Sequence, residues 1–306
     1  MIGSRRSDHG HQLAQVVGLL RCPHCGADLD LADPAVSCPN RHSFDVARQG
    51  YLNLLPGDAR AGMGDTAAMV AARAGFLGAG HYGDITDAVV DAAALALTNG
   101  AADSSPAGGA DGCCIELGAG TGHYLTRVLD AMPERTGLAL DVSTHAARRA
   151  AGAHPRVAAV VCDAWAPLPV RSSVAALVLS VFAPRNGSEI ARVLRPGGAL
   201  AVVAPTAAHL AELVQTLGLI SVDQRKQQRL ERQLDPFLSA ESARRVAQVM
   251  RLEHPDIEAL VAMGPSARHT DPATMRERIA VLPNPTTVTA SVTISVYRRA
   301  SGEKPA

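Results

Sequence analysis

Four residues near the N-terminus carry the most specific chemistry in the sequence. Cys22 and Cys25 are separated by two residues, Cys38 and His42 by three, and the two pairs by twelve, giving Cys-x2-Cys-x12-Cys-x3-His. Thiolate and imidazole are the donors that Zn²⁺ prefers, and two such pairs bring four of them to one tetrahedral ion. Four protein ligands leave no position for water, so the expected site is structural rather than catalytic. Pro23 and Pro39 follow the first cysteine of each pair, which suits two matching knuckle turns. The competing readings are two unrelated reduced pairs or a disulfide, and a cytoplasmic setting disfavours the latter. Cys113, Cys114 and Cys162 fall on apolar runs and are expected to be inert core thiols.

A second constellation begins at Glu116-Leu117-Gly118-Ala119-Gly120-Thr121-Gly122, at the end of an apolar run. Glycines there let a backbone loop approach a nucleotide-like ligand at the carboxyl end of a strand. A dinucleotide fingerprint needs a further glycine where this chain has His123, so the pattern is Gly-x-Gly-x-Gly preceded by an acid.

The elements that must position these groups follow from hydrophobic spacing. Cys113–Leu117, Thr136–Leu140, Val157–Val161, Ala175–Val181 and Ala199–Ala204 are short apolar runs suited to buried parallel strands. Amphipathic stretches at Tyr124–Met132, Thr144–Ala153 and Ser188–Leu194 separate them. This alternation predicts an α/β fold with a mostly parallel sheet covered by helices on both faces. Thr286 to Tyr297 alternates Val and Ile with Thr and Ser, and is expected to close the sheet edge in antiparallel fashion. Helices are predicted over Asp65–Phe76 and Tyr82–Leu97. The implied organisation is a tail at 1–15, a zinc-binding module at 16–58, a helical connector at 59–98, a linker at 99–112, the α/β domain at 113–300 and a short tail at 301–306. A segment as small as the zinc module cannot be held by burial alone, and the metal supplies the staple.

Bulk properties set the outer limits. The chain has 306 residues, 47% of them hydrophobic, with 29 basic and 29 acidic side chains, so a strongly basic charge balance gives no independent pointer to nucleic acid. Arg225, Lys226, Arg229 and Arg232 form the densest basic run, read either as a phosphate track or as a solvated helix face. The longest uncharged apolar run, Val174 to Ala183, falls well short of the roughly 20 residues that a membrane span requires. Gln15 interrupts the first apolar stretch and Arg21 replaces the small residue a signal-peptide cleavage site needs, so a cytoplasmic protein is expected.

The glycine loop resembles motif I of the class I S-adenosylmethionine-dependent methyltransferases. That resemblance implies a Rossmann-like, mostly parallel seven-stranded sheet, with Glu116, Gly118, Gly120, Thr121 and Gly122 shaping the cofactor pocket. It matches Asp141, 23 residues beyond Gly118, to the ribose-binding acid. It also matches Asp163 to the adenine-contacting acid, and Val193-Leu194-Arg195-Pro196-Gly197-Gly198 to the turn before the fifth strand.

The segments CPNRHSFDVARQGYLNLLP, GDTAAMVAARAGFLGAGHY, VFAPRN and PTAAHL together resemble the RlmA (RrmA) family of 23S rRNA guanine-N1 methyltransferases over nearly the whole chain, with details closest to its actinobacterial tylosin-resistance branch. The resemblance implies methyl transfer from S-adenosylmethionine to N1 of a guanine in a 23S rRNA hairpin loop near the peptide exit tunnel, at position 748 or, in the other branch, 745. Tyr82 and His209 match cofactor-contacting positions. Phe182, Ala183, Pro184 and Arg185 follow the fourth strand, where related enzymes hold the acceptor base; Phe182 is then either a stacking residue or part of the core. No residue announces itself as the acceptor of the guanine N1 proton. A homodimer is an open possibility, and a class I methyltransferase acting on a small metabolite is the alternative reading.

Overall fold

The computed structural model describes residues 12–32, 35–56, 64–100, 112–221, 223 and 232–299. The 99–112 linker, both tails and the basic positions 225, 226 and 229 fall wholly or mostly outside them. Arg232, the fourth of that basic run, is exposed.

Three short strands, β1 (Asp30–Ala32), β2 (Ala35–Ser37) and β3 (Ser43–Asp45), form an antiparallel sheet around the cysteine cluster. A fourth, β4 (Tyr51–Asn53), leads to helices α1 (Ala67–Gly78) and α2 (Gly83–Gly100). Thr66 caps α1 by accepting from the Met69 amide, which explains why that helix begins two residues after the first expected position. The alternating region then follows: β5 (Cys113–Leu117), α3 (His123–Asp130), β6 (Gly137–Asp141), α4 (Thr144–Ala150), β7 (Val157–Val161), β8 (Ala175–Val181), α5 (Gly187–Val193), β9 (Leu194–Pro205) and α6 (Ala211–Leu217). The chain ends with β10 (Ser239–Leu252), α7 (His254–Ala262), α8 (Pro272–Ala280) and β11 (Thr286–Arg298).

The large sheet runs β10-β11-β9-β8-β5-β6-β7-β4. All pairings from β9 to β4 are parallel, and β11 pairs antiparallel with both β9 and β10. The mostly parallel class I architecture is therefore present. Two details differ from the sequence expectation. First, β11 does not close the sheet: β10 covers it along its whole length and is itself the edge. The long, largely exposed β10 has too little apolar alternation to be recognised as a strand, and its pairing with β11 is what makes it one. Second, β4 adds an eighth strand beside β7, pairing Tyr51 with Ala159 and Asn53 with Val161. A three-residue strand carries no readable period, so only the neighbouring strand reveals it.

Alternation along the strands divides the core in two. Cys114, Ala139, Leu177 and Leu179 face α1, α2, α3, α4 and α7. Ile115, Leu138, Val160 and Val178 face the other way, into a cluster that contains Leu13, Val16, Leu20, Leu29, Val36 and Phe44. The N-terminal module thus shares one hydrophobic core with the second face of the sheet. Backbone bonds fix this docking: Leu20 bridges Val170, Arg21 N–H donates to Pro169 O at 3.1 Å, and Arg171 N–H donates to Leu19 O at 2.8 Å.

β5 lies between β6 and β8: the chain steps outward from β5 through β6 and β7, then crosses back to β8 on the other side. Loops leaving β5 and its neighbours therefore diverge at its carboxyl end, opening the crevice where ligands bind in open α/β sheets. No helix among the described residues is long and apolar enough to cross a membrane.

Candidate functional site

The cysteine cluster has the geometry of a metal site. Cys22 Sγ lies 3.5 Å from His42 Nδ1, Cys38 Sγ 3.4 Å from the same nitrogen, and Cys25 Sγ 3.7 Å from Cys38 Sγ. All four donor atoms lie within 4.8 Å of one another. Zn–S bonds of about 2.3 Å and tetrahedral angles place donors roughly 3.8 Å apart, close to these separations. The two knuckles are built alike. Gly26 N–H returns to Cys22 O at 2.8 Å and Arg41 N–H to Cys38 O at 2.9 Å, with Gly26 and Arg41 both in the left-handed region. The donor set and its spacing fit a structural zinc ion, and His24 stacks on Phe44 beside it.

At the other end of the sheet the glycine loop turns sharply between β5 and α3. Gly118, Gly120 and Gly122 have φ of 61°, 55° and 76°, a region in which a Cβ is strained. A Cβ on Gly118 would also lie 2.8 Å from that of Ala183, so the glycine loop and the loop after β8 meet in near contact. Asp141, at the end of β6, braces the glycine loop. Its Oδ2 accepts from Gly120 N–H and its Oδ1 from Ser143 N–H, both at 2.8 Å. Burial pushes this carboxyl up, while the two amides favour its ionised form.

Glu116 is fully enclosed beneath the loop, where Leu125 N–H donates to Oε2 at 3.1 Å. It thereby ties β5 to the first turn of α3. Desolvation raises its pKa to about 8, so the native state holds a proton that the unfolded chain releases near its ordinary value of 4.5. With the folded value above the unfolded one, the stabilising contribution is complete below about pH 4.5 and declines as pH rises through about 8. Glu116→Gln is therefore expected to flatten the loss of stability between pH 5 and 9 by an amount on the order of a few kcal/mol. Urea midpoints of both proteins without cofactor, measured across that range, check this. Parallel curves would refute the assignment.

Two residues that nothing in the sequence marks complete this pocket. Arg73, on α1, reaches across the loop: its guanidinium would lie 3.3 Å from a Cβ on Gly120, pairs with Asp65, and donates to Met263 O at 2.8 Å. The Asp65 carbonyl in turn accepts from Ser143 Oγ at 2.6 Å. Tyr124, the second residue of α3, has a buried hydroxyl with no protein partner, in a setting shaped by Tyr82, Glu116 and Arg73. A buried hydroxyl of this kind needs a hydrogen-bonding ligand. It fits a cofactor with a charged, polar end.

Across the crevice, Tyr82, Phe182 and His209 come together from three distant stretches of chain. Their ring centroids are 5.6 to 6.4 Å apart. Ser291 N–H donates to His209 Nδ1 at 3.2 Å, which assigns the imidazole proton to Nε2, and Nε2 lies 3.4 Å from Tyr82 Oη. Burial lowers the His209 pKa to about 4, so the ring is neutral at physiological pH. With one nitrogen engaged by an amide and the other carrying the proton, His209 is a rigid positioning group and a poor proton acceptor.

Phe182 is 42% exposed and adopts a φ of 53°, unusual for a bulky residue and a form of strain that clusters at functional sites. Its own N–H is spent on Val203 O, and Pro184 has none to offer. Ala183 O accepts from Ser180 Oγ at 3.3 Å, and Arg185 is buried behind the loop. Asp163 follows β7, next to Cys162, whose N–H donates to Asp141 O at 3.0 Å; its Oδ1 accepts from Trp165 N–H at 2.9 Å, closing the turn after β7. Thr121 is buried within the glycine loop.

Comparison with known proteins places these features together. A family model described as RlmA, N-terminal, a zinc ribbon, matches residues 20–61. A 23S rRNA (guanine(748)-N(1))-methyltransferase of Streptomyces fradiae is 48% identical over 92% of this chain and 98% of its own length. A putative 23S rRNA (guanine-N(1)-)-methyltransferase of Micromonospora griseorubida is 49% identical over 91% of this chain and 97% of its own. A further putative member, YxjB of Bacillus subtilis strain 168, is 29% identical over 65% of this chain and 68% of its own length. With a zinc ribbon, a glycine loop braced by an acid and nearly half of its residues identical to the first two relatives over almost their full length, the chain belongs to the family of 23S rRNA (guanine-N1)-methyltransferases.

Proposed function

We propose that the protein transfers a methyl group from S-adenosylmethionine to N1 of guanine 748 of 23S rRNA, in a hairpin loop near the exit tunnel, and that this gives resistance to tylosin-type macrolides. The observation that carries the reading is the near contact of Gly118 with Ala183, which sets the cofactor loop directly against the acceptor loop. The position of the guanine rests on the name of the Streptomyces fradiae relative.

S-adenosylmethionine supplies an electrophilic methyl on its sulfonium. Asp141 is the residue for the ribose, and the glycine loop for close backbone approach. The Tyr124 hydroxyl, with Arg73 and Tyr82 around it, suits the amino-acid end. At Phe182 and Pro184 the acceptor loop offers no free backbone donor, since the Phe182 amide is bonded and Pro184 lacks one. Guanine presents N1–H and the N2 amino group, which suit carbonyl acceptors at such positions. Phe182, held in its exposed pose, is the residue for stacking on that base. A guanine N1 is unreachable within a base pair, so an unpaired or flipped base is required. His209 does not take the N1 proton, for the reason given above; as the methyl leaves the sulfonium for N1, the N1 proton passes to solvent water. The chain's contribution is to align the reacting atoms, which by itself lowers a large part of the barrier.

The decisive experiment is primer extension on 23S rRNA incubated with purified protein and S-adenosylmethionine. Methylation at N1 blocks the pairing edge, so a new cofactor-dependent stop beside 748 is expected, together with raised tylosin tolerance of a susceptible host expressing the gene. A stop at 745 would correct the position. No stop, with cofactor binding intact, would favour a small-metabolite substrate.

A further inference from the structure

The chain has nine aromatic residues: four Phe, four Tyr and one Trp. Three are exposed, and all three border the loop after β8. Phe182 lies on that loop. Trp165, 54% exposed, has its carbonyl bonded by Asn186 Nδ2 at 3.1 Å. Phe237, 42% exposed, approaches the start of α5, where its ring would lie 3.1 Å from a Cβ on Gly187. Solvent normally excludes such groups, and their gathering on one rim of the crevice marks a binding surface.

The Trp165 backbone is fixed although its indole is not covered. Its N–H is held by Asp163, its carbonyl by Asn186, and Leu168 N–H donates to Glu189 Oε2 at 2.6 Å. Arg192 clamps the same stretch from α5, forking onto Glu189 and donating to Leu168 O at 3.0 Å and Val170 O at 2.7 Å. On either side of Val170, Pro169 and Arg171 carry the backbone bonds that dock the zinc module. The segment 165–171 therefore runs from the acceptor loop to the zinc ribbon and presents a flat aromatic face at its beginning.

We infer that Trp165, with Phe237 beside the end of the acceptor loop at Gly187, forms a stacking platform for RNA bases flanking the methylated guanine. The inference rests on the RNA-methyltransferase reading above. Withdrawing a guanine from a loop leaves its neighbours without a stacking partner, and an exposed indole on a rigid backbone replaces that partner. The occupant is a nucleobase because the surface adjoins the base pocket and offers π-faces.

Trp165 is the sole tryptophan, so emission excited at wavelengths that tyrosine does not absorb reports on it alone. Titration of the protein with transcribed 23S rRNA is expected to quench this emission. Trp165→Ala is expected to raise KM for RNA by about tenfold, with kcat and cofactor affinity nearly unchanged, in line with the usual worth of one base–aromatic stack. Trp165→Phe should recover most of the loss, and Phe237→Ala should weaken RNA binding independently. Unchanged emission at saturating, methylated RNA, or unchanged KM in Trp165→Ala, overturns the platform while leaving the enzyme's assignment intact. Failure of the wild type to methylate 23S rRNA would overturn both.

Discussion

Exchange of Asp141 for alanine is expected to lower cofactor affinity and kcat/KM by about a hundredfold or more. Both of its carboxylate oxygens accept backbone amides, one from the glycine loop and one from the first turn of the following helix. Removing the carboxylate leaves those two donors in a largely buried site without partners, at about 1–3 kcal/mol each. The loop then populates its binding-competent shape less, and a population of about one in a hundred lowers affinity by the stated size, before any contact to the ribose is counted. The effect should appear in both binding and turnover, because the loop that Asp141 braces also packs against Ala183 of the acceptor loop. Calorimetric titration with S-adenosylmethionine, alongside initial rates, measures it. An unchanged dissociation constant would sink the assignment of Asp141 to the cofactor.

Zinc removal should produce a comparably large but different defect. Structural zinc in small modules contributes an apparent binding free energy of about 10–16 kcal/mol, and here it clamps three strands of three residues each whose other support is the core they share with the sheet. Cys25→Ser is the cleaner variant, because Cys25 is exposed whereas Cys22 and Cys38 are buried. Loss of bound zinc is expected, along with protease cleavage within residues 22–45 and a fall of about a hundredfold in RNA methylation at fixed RNA concentration. Cofactor affinity should change only severalfold, since no zinc ligand approaches the glycine loop. The melting temperature of the whole protein should also fall, because Val36 and Phe44 share a cluster with Ile115 and Val178 of the sheet. Metal-free protein that keeps its KM for RNA would exclude the module from RNA recognition.

Much of this protein is legible in its sequence because the relevant information is local. The metal site is two short knuckles, and each knuckle is set by a cysteine pair or a cysteine–histidine pair a few residues apart. The strands β5, β7 and β8 match their expected bounds, since a continuous apolar run flanked by polar turns admits few alternatives. The glycine loop and Asp141 are likewise marked by residue type at a fixed interval.

The rest required the tertiary structure. β10 is a strand because β11 lies beside it, and β4 because β7 does; neither has a period of its own to show. The zinc module looked too small to have a core, and it has one only because the second face of the sheet completes it. Arg73, Tyr124 and Trp165 carry no motif. Arg73 matters through its reach over Gly120, Tyr124 through a hydroxyl that nothing in the protein satisfies, and Trp165 through the loop it adjoins. Sequence spacing encodes which groups neighbour one another along a turn. Which groups face one another across a crevice depends on strand order, and only the folded chain fixes that.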